Sequence, residues 1–115
     1  MHILIVSDVY FPRINGVSTA IETHRRGLQK RGIKVTLIAP RYADESDEEG
    51  IIRLPSWKVP GDPEDRIVLP RTMKRAVMTA AKEADLIHIQ TPFSAHYAGL
   101  AAAHAWHIPV VATYH

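Results

Sequence analysis

The 115-residue sequence contains no cysteine, which excludes disulfide staples and thiolate metal sites and makes a cytoplasmic setting the simplest expectation. It has no apolar run near the ~20 residues needed to span a bilayer. The N-terminus MHILIVSD lacks a basic segment followed by a cleavable apolar one, so no signal peptide is expected. Charge of one sign is also scarce. Fourteen Lys and Arg against twelve Asp and Glu leave +2, too little to announce a nucleic-acid partner. Repeats and low-complexity segments are absent. Among only six glycines, neither the dinucleotide fingerprint G-x-G-x-x-G nor the P-loop spacing occurs. What remains is an ordinary globular composition, 46% hydrophobic and 23% charged, at a length that suits one domain.

Residues 2–7 (HILIVS) form a short apolar run, the pattern of a strand covered on both faces. Residues 34–39 (KVTLIA) repeat it and stop at Pro40. Between them Val17, Ala20, Ile21, His24 and Leu28 recur at helical spacing, with Glu22, Arg25, Arg26, Gln29 and Lys30 opposite. Thr19 and Glu22 fit a capping box at the start of this helix, and Arg31-Gly32 fits its end. After an acidic loop (41–50), IIRL (51–54) predicts a strand towards a sheet edge, and residues 55–70, with four prolines, read as an irregular excursion. A second helix over 71–84 places Met73, Val77, Ala80, Ala81 and Ala84 on one face. DLIHIQ (85–90) predicts another strand. Thr91-Pro92 then opens an alanine-rich helix, with threonine as cap, that ends near Trp106-His107. IPVVATYH (108–115) predicts a further buried strand.

The fold expected is therefore α/β, a Rossmann-like doubly wound parallel sheet in the order 3-2-1-4-5. A helix would normally follow the last strand, so the chain is expected to be a piece of a longer protein. Ligands of such sheets bind beyond the carboxyl ends of the strands, where the strand order reverses. Asp8–Gly16, Gln90–Ser94 and Thr113–His115 converge there. Asn15-Gly16 before Val17-Ser18-Thr19 brings bare backbone to a helix N-terminus, which suits a phosphate or an ordinary turn. Asp8 reads as a cap or a catalytic carboxylate, and Tyr10 and Phe11 as a ligand platform or satellite core. His88 reads as a satisfied core histidine. His96 and His104, two helical turns apart, do not make a zinc site, so neither metal nor cofactor is expected. Arg71, Lys74 and Arg75 read as a solvated helix face or a contact for anionic lipid.

VSDVYFPRINGVSTAIETHRRGLQKRGIKVTLIAP and ADLIHIQTPFSAHYAGLAAAHAWHIPVVATYH resemble the two N-terminal signature segments of the retaining glycosyltransferases of family four. That family has the GT-B fold of two Rossmann-like domains. FPRINGVST, TPF and TYH have the flavour of diacylglycerol glucosyltransferases and phosphatidylinositol mannosyltransferases. The resemblance implies that residues 1–115 are the acceptor-side domain, with the domain that binds the nucleotide sugar lying elsewhere. It implies transfer of a hexose from a nucleotide-diphosphate sugar, of the UDP-glucose or GDP-mannose type, to an acceptor such as diacylglycerol. Peripheral contact with an anionic membrane at its cytoplasmic face goes with that reading.

By position, Gly16 matches the glycine that approaches the donor diphosphate, and His115 the histidine facing the donor sugar and counted as catalytic. Tyr10, Asn15 and Ser18 match the acceptor-side loop, and Thr91 and Phe93 the segment after the fourth strand. Gln90 departs from the second histidine of many members, and apolar Phe93 weakens an inositol acceptor. The chain alone is expected to be inactive. The alternatives are a receiver-like signalling domain, which lacks its acidic pair and lysine here, and a non-catalytic binding module.

Overall fold

The computed structural model describes residues 1–113, with the side chains of residues 62–64 excluded. Strands β1 (His2–Val6), β2 (Lys34–Pro40) and β3 (Ile51–Leu54) are joined by helix α1 (Gly16–Lys30) and an acidic loop. Strands β4 (Trp57–Val59) and β5 (Asp62–Ile67) follow, then helix α2 (Pro70–Ala81), strand β6 (Leu86–Ile89), helix α3 (Ser94–Trp106) and strand β7 (Val110–Ala112). The main sheet runs β3-β2-β1-β6-β7, parallel at every pairing, which is the order expected once the inserted hairpin is discounted.

The central strands lack alternation because both faces of the sheet are covered. Leu4 and Val6 of β1 join Ile87 and Ile89 of β6 and the buried sides of α2 and α3 in one cluster. Ile3 and Ile5 point the other way and meet Leu37 of β2 and Ile21 of α1. The helices thus lie two on one face and one on the other. Val110–Ala112 of β7, the edge strand beside β6, are exposed, not buried as expected. His24, expected on the apolar stripe of α1, is exposed and meets the His88 ring edge-on at 5.0 Å.

Helix ends depart from the sequence expectation in three places. Asn15, not Thr19, caps α1: its side-chain oxygen accepts from the Ser18 N–H at 2.9 Å. Glu22 is turned instead to Tyr10, Arg25 and Arg26. The other end of α1 is as expected, with Gly32 at φ 78°, the left-handed turn that a side chain would disfavour. Helix α2 stops at Ala81, and residues 82–84 form a turn. Helix α3 begins at Ser94, so Thr91-Pro92 lies outside it.

The largest correction is the stretch 55–70. Trp57–Val59 and Asp62–Ile67 form an antiparallel hairpin, a separate two-stranded sheet turned at Pro60-Gly61, with Gly61 at φ 80°. Proline and glycine there make the turn, and do not signal irregularity.

Candidate functional site

The carboxyl ends of β1 and β6 are stitched together by one acidic residue. Asp8 follows β1. Its backbone N–H donates to Thr91 Oγ at 2.8 Å, and the Thr91 hydroxyl donates back to the Asp8 carboxylate at 2.5 Å. The Ala95 N–H at the start of α3 donates to both Asp8 oxygens at 3.2 Å. Asp8 therefore caps α3 from 87 residues away, where a carboxylate also opposes the helix dipole. Burial raises the Asp8 pKa, and the hydrogen bonds from Thr91 and from the helix N-terminus offset only part of that rise. With its oxygens engaged this way, the cap reading holds for Asp8.

The loop between β1 and α1 is held from below. Tyr10 is buried, at 3% exposure, and its hydroxyl donates to Glu22 at 2.5 Å. Its N–H donates to the Tyr42 hydroxyl, and the Arg53 guanidinium lies 5.2 Å above its ring. Arg53 is itself buried and donates to the Pro40 carbonyl at 3.0 Å. Burial and the hydrogen bond to the Glu22 carboxylate push the Tyr10 phenol up to about 12. Burial would raise Glu22, but hydrogen bonds from Arg25, Tyr10 and Arg26 outweigh it and hold that carboxyl at about 2. Ser18 is buried and donates to the Arg13 carbonyl at 2.6 Å. Tyr10 and Ser18, expected on the acceptor side, thus set the shape of the loop from beneath and do not line its open surface.

Above this loop lies a cavity of about 670 Å³. Asp8, Asn15, Gln90 and Thr91 give it a polar floor, flanked by the apolar Val9, Val17 and Phe93. Val59, Asp65, Arg66, Ile67 and Val68 form the opposite wall. Of the acceptor-side residues expected from sequence, Asn15, Thr91 and Phe93 are brought together here. Gly16 sits at the first position of α1, and a methyl group built on it would meet nothing within 4 Å. Neither packing nor backbone strain requires glycine there. His115 lies outside the described residues. His88 Nε2 is 2.8 Å from Thr113 Oγ and 3.2 Å from the Gln90 amide, so it joins a polar chain along the α1 side of β6.

Among the described residues, no group of three or more His, Asp or Glu could hold a metal ion, and no helix is long and apolar enough to cross a membrane. The hairpin wall is what sequence reasoning missed. The signal available was the alternation Trp57-Lys58-Val59 ahead of Pro60-Gly61.

The five-stranded parallel sheet, its helices on both faces and a cavity at the switch point define a Rossmann-like doubly wound α/β domain. The family profile of Glycosyltransferase Family 4 matches residues 14–115, and the chain belongs to that family. It is 36% identical over 118 residues to the Alpha-monoglucosyldiacylglycerol synthase of Acholeplasma laidlawii, covering 100% of this chain and 30% of that protein. The enzyme of the same name from Streptococcus pneumoniae is 37% identical over 117 residues, covering 100% and 26%. A GDP-mannose-dependent alpha-mannosyltransferase of Corynebacterium glutamicum is 29% identical over 120 residues, covering 99% and 29%. The chain thus spans under a third of the length of each of these relatives.

Proposed function

We propose that this chain is the acceptor-side domain of a glycosyltransferase that moves a hexose from a nucleotide-diphosphate sugar to a hydroxyl of a neutral lipid such as diacylglycerol. The observation that carries the reading is the cavity. Hydroxyl groups can meet Asn15, Gln90 and Thr91 on its floor, while Val17, Val59, Ile67 and Phe93 offer apolar surface around them. Its charges are balanced: Asp65 is paired with Arg13, and Asp8 and Arg66 are of opposite sign. A neutral head group fits such a lining better than a phosphate does. The names of the two synthases similar to this chain support a glucosyl donor and diacylglycerol-based chemistry.

The empty space at Gly16 supports an approach of the donor diphosphate to the N-terminus of α1, where free N–H groups and the helix dipole favour anions. His115 is assigned to the donor sugar by its place after β7, as the family resemblance implies. A second domain would supply most of the electrostatic stabilisation of the departing diphosphate. The isolated chain is then inactive. Exposed Leu69, Phe93 and Tyr97, with Arg71, Lys74 and Arg75, flank the junction where Ser94 Oγ donates to the Val68 carbonyl. This face suits peripheral contact with an anionic membrane.

The test is transfer of labelled sugar by the full-length protein to diacylglycerol in vesicles with and without anionic lipid. UDP-glucose is expected to serve as donor, with faster transfer on anionic vesicles. His115→Ala is expected to lower kcat far more than it raises the donor Kd. Labelled product on a phosphoinositide but not on diacylglycerol would refute the neutral-lipid reading.

A further inference from the structure

The wall of the cavity opposite its polar floor is built from the β4–β5 hairpin and the residue that follows it. The hairpin is a sheet of its own, so no strand ladder fixes its distance from the β1–α1 loop across the cavity. One side-chain tie reaches that loop, and two others hold the hairpin to the segment after β2. Arg13 Nε of the loop donates to Asp65 Oδ1 of β5 at 3.0 Å. Arg66 donates to the Tyr42 carbonyl, and Ser56, just before the hairpin, donates to the Arg41 carbonyl. Asp65 lines the cavity, while Arg13 lines a smaller one of about 310 Å³ beside Pro12, Ile14 and Tyr42. The ion pair therefore stands between two open spaces, with side chains 26% and 42% exposed.

We propose that the hairpin is the acceptor-selecting wall of the cavity, and that Arg13 and Asp65 are positioning residues that set its distance from the loop carrying Asn15. The proposal rests on the acceptor reading above and adds what discriminates between acceptors. An acceptor with a hydroxylated head and an apolar body spans the gap, head on the polar floor and body along Val59 and Ile67. A small polar acceptor with the same head gains nothing from that wall. The ion pair then governs how well the apolar body is held, and leaves bond-making untouched.

Initial rates of the full-length protein, at saturating donor, with dioctanoylglycerol in micelles and with glycerol separate these effects. Arg13→Ala and Asp65→Ala are each expected to raise KM for dioctanoylglycerol about two- to fivefold, the span of a part-exposed ion pair. The kcat and the donor KM should hardly move. Exchanging the pair, Arg13→Asp with Asp65→Arg, is expected to restore KM, and Ile67→Ser to lower the preference for dioctanoylglycerol over glycerol. Thermal unfolding of each variant identifies any loss of fold.

If variants that keep their thermal stability leave that preference unmoved, the hairpin's role is overturned and the acceptor reading stands. Parallel losses on both acceptors, unrescued by the exchange, also overturn it, because they report stability alone. No transfer by the unaltered protein to any hydroxyl acceptor overturns the acceptor reading, and this inference with it.

Discussion

Replacing Gly99 by alanine should weaken the contact between α3 and β6, although alanine is the better helix former. Gly99 lies mid-helix, on a stripe with Ala95, Ala98, Ala102 and Ala103 that rides directly on the sheet. A methyl group there would come within 2.7 Å of both Cγ1 and Cδ1 of Ile89, and 3.6 Å from Cγ2 of Ile87. Ile89 is fully buried, so its side chain has nowhere to turn. Overpacking of this kind costs about 1–3 kcal/mol. The propensity gain of alanine over glycine returns about 1 kcal/mol. With two contacts this short the upper part of the range applies, which leaves a net loss of about 1–2 kcal/mol. At about 2.1 cal/mol/K of unfolding entropy per residue, that lowers Tm by roughly 4–8 °C for a chain of this length.

Calorimetry or a circular-dichroism melt reads this directly. Ile89→Ala, which costs about 2–5 kcal/mol alone, should cost less in the Gly99→Ala background, because the new methyl occupies part of the cavity. A raised Tm for Gly99→Ala, or strict additivity in the double variant, would show that the contact between α3 and β6 is not the limiting one.

Two further outcomes follow from the polar ties. Asp8→Ala removes the cap of α3 and the acceptor of the Thr91 hydroxyl, and should lower stability by about 1–2 kcal/mol, with Asp8→Asn recovering part of it. A melt unchanged by Asp8→Ala would return Asp8 to the list of candidate catalytic carboxylates. Glu22, held at about 2 against an ordinary 4.5, contributes stability that is fully present above about pH 5 and is lost as pH falls through 4.5 towards 2. The gap in unfolding free energy between the native chain and Glu22→Gln should therefore narrow from pH 5 to pH 3, as followed by urea titration. A constant gap over that range would show that the arginine contacts are not felt in solution.

The parts of this domain legible in the sequence are those fixed by local pattern. HILIV and KVTLIA read as doubly covered strands because their apolar runs do not alternate, and the strand order followed from the doubly wound pattern. Arg31-Gly32 marked its helix end because a left-handed residue was needed there. Cap assignments failed where the true partner was elsewhere. Nothing around Thr91-Pro92 reveals that Asp8 caps α3, because the two meet only once β1 and β6 are paired. Of the two readings of Tyr10, ligand platform or satellite core, the structure shows the second, and what holds it there comes from Glu22, Tyr42 and Arg53 in three other segments. The hairpin was hidden by its prolines, and with it one whole wall of the cavity. Asn15, Thr91 and Phe93 line one cavity because the topology brings the β1–α1 loop and the segment after β6 together at the switch point.

The separateness of the hairpin has a consequence for how such a domain can diversify. Among the described residues from 57 to 67, none belongs to either hydrophobic cluster and none pairs with the main sheet. Gly99 on α3 has no room for a methyl group, whereas hairpin changes that spare the ties of Asp65 to Arg13 and of Arg66 to the Tyr42 carbonyl should leave the two hydrophobic clusters undisturbed. On the proposed acceptor-selecting role, exchanging the hairpin between members of the family should transplant acceptor preference while leaving the two hydrophobic clusters intact, which makes residues 57–67 the segment to randomise first.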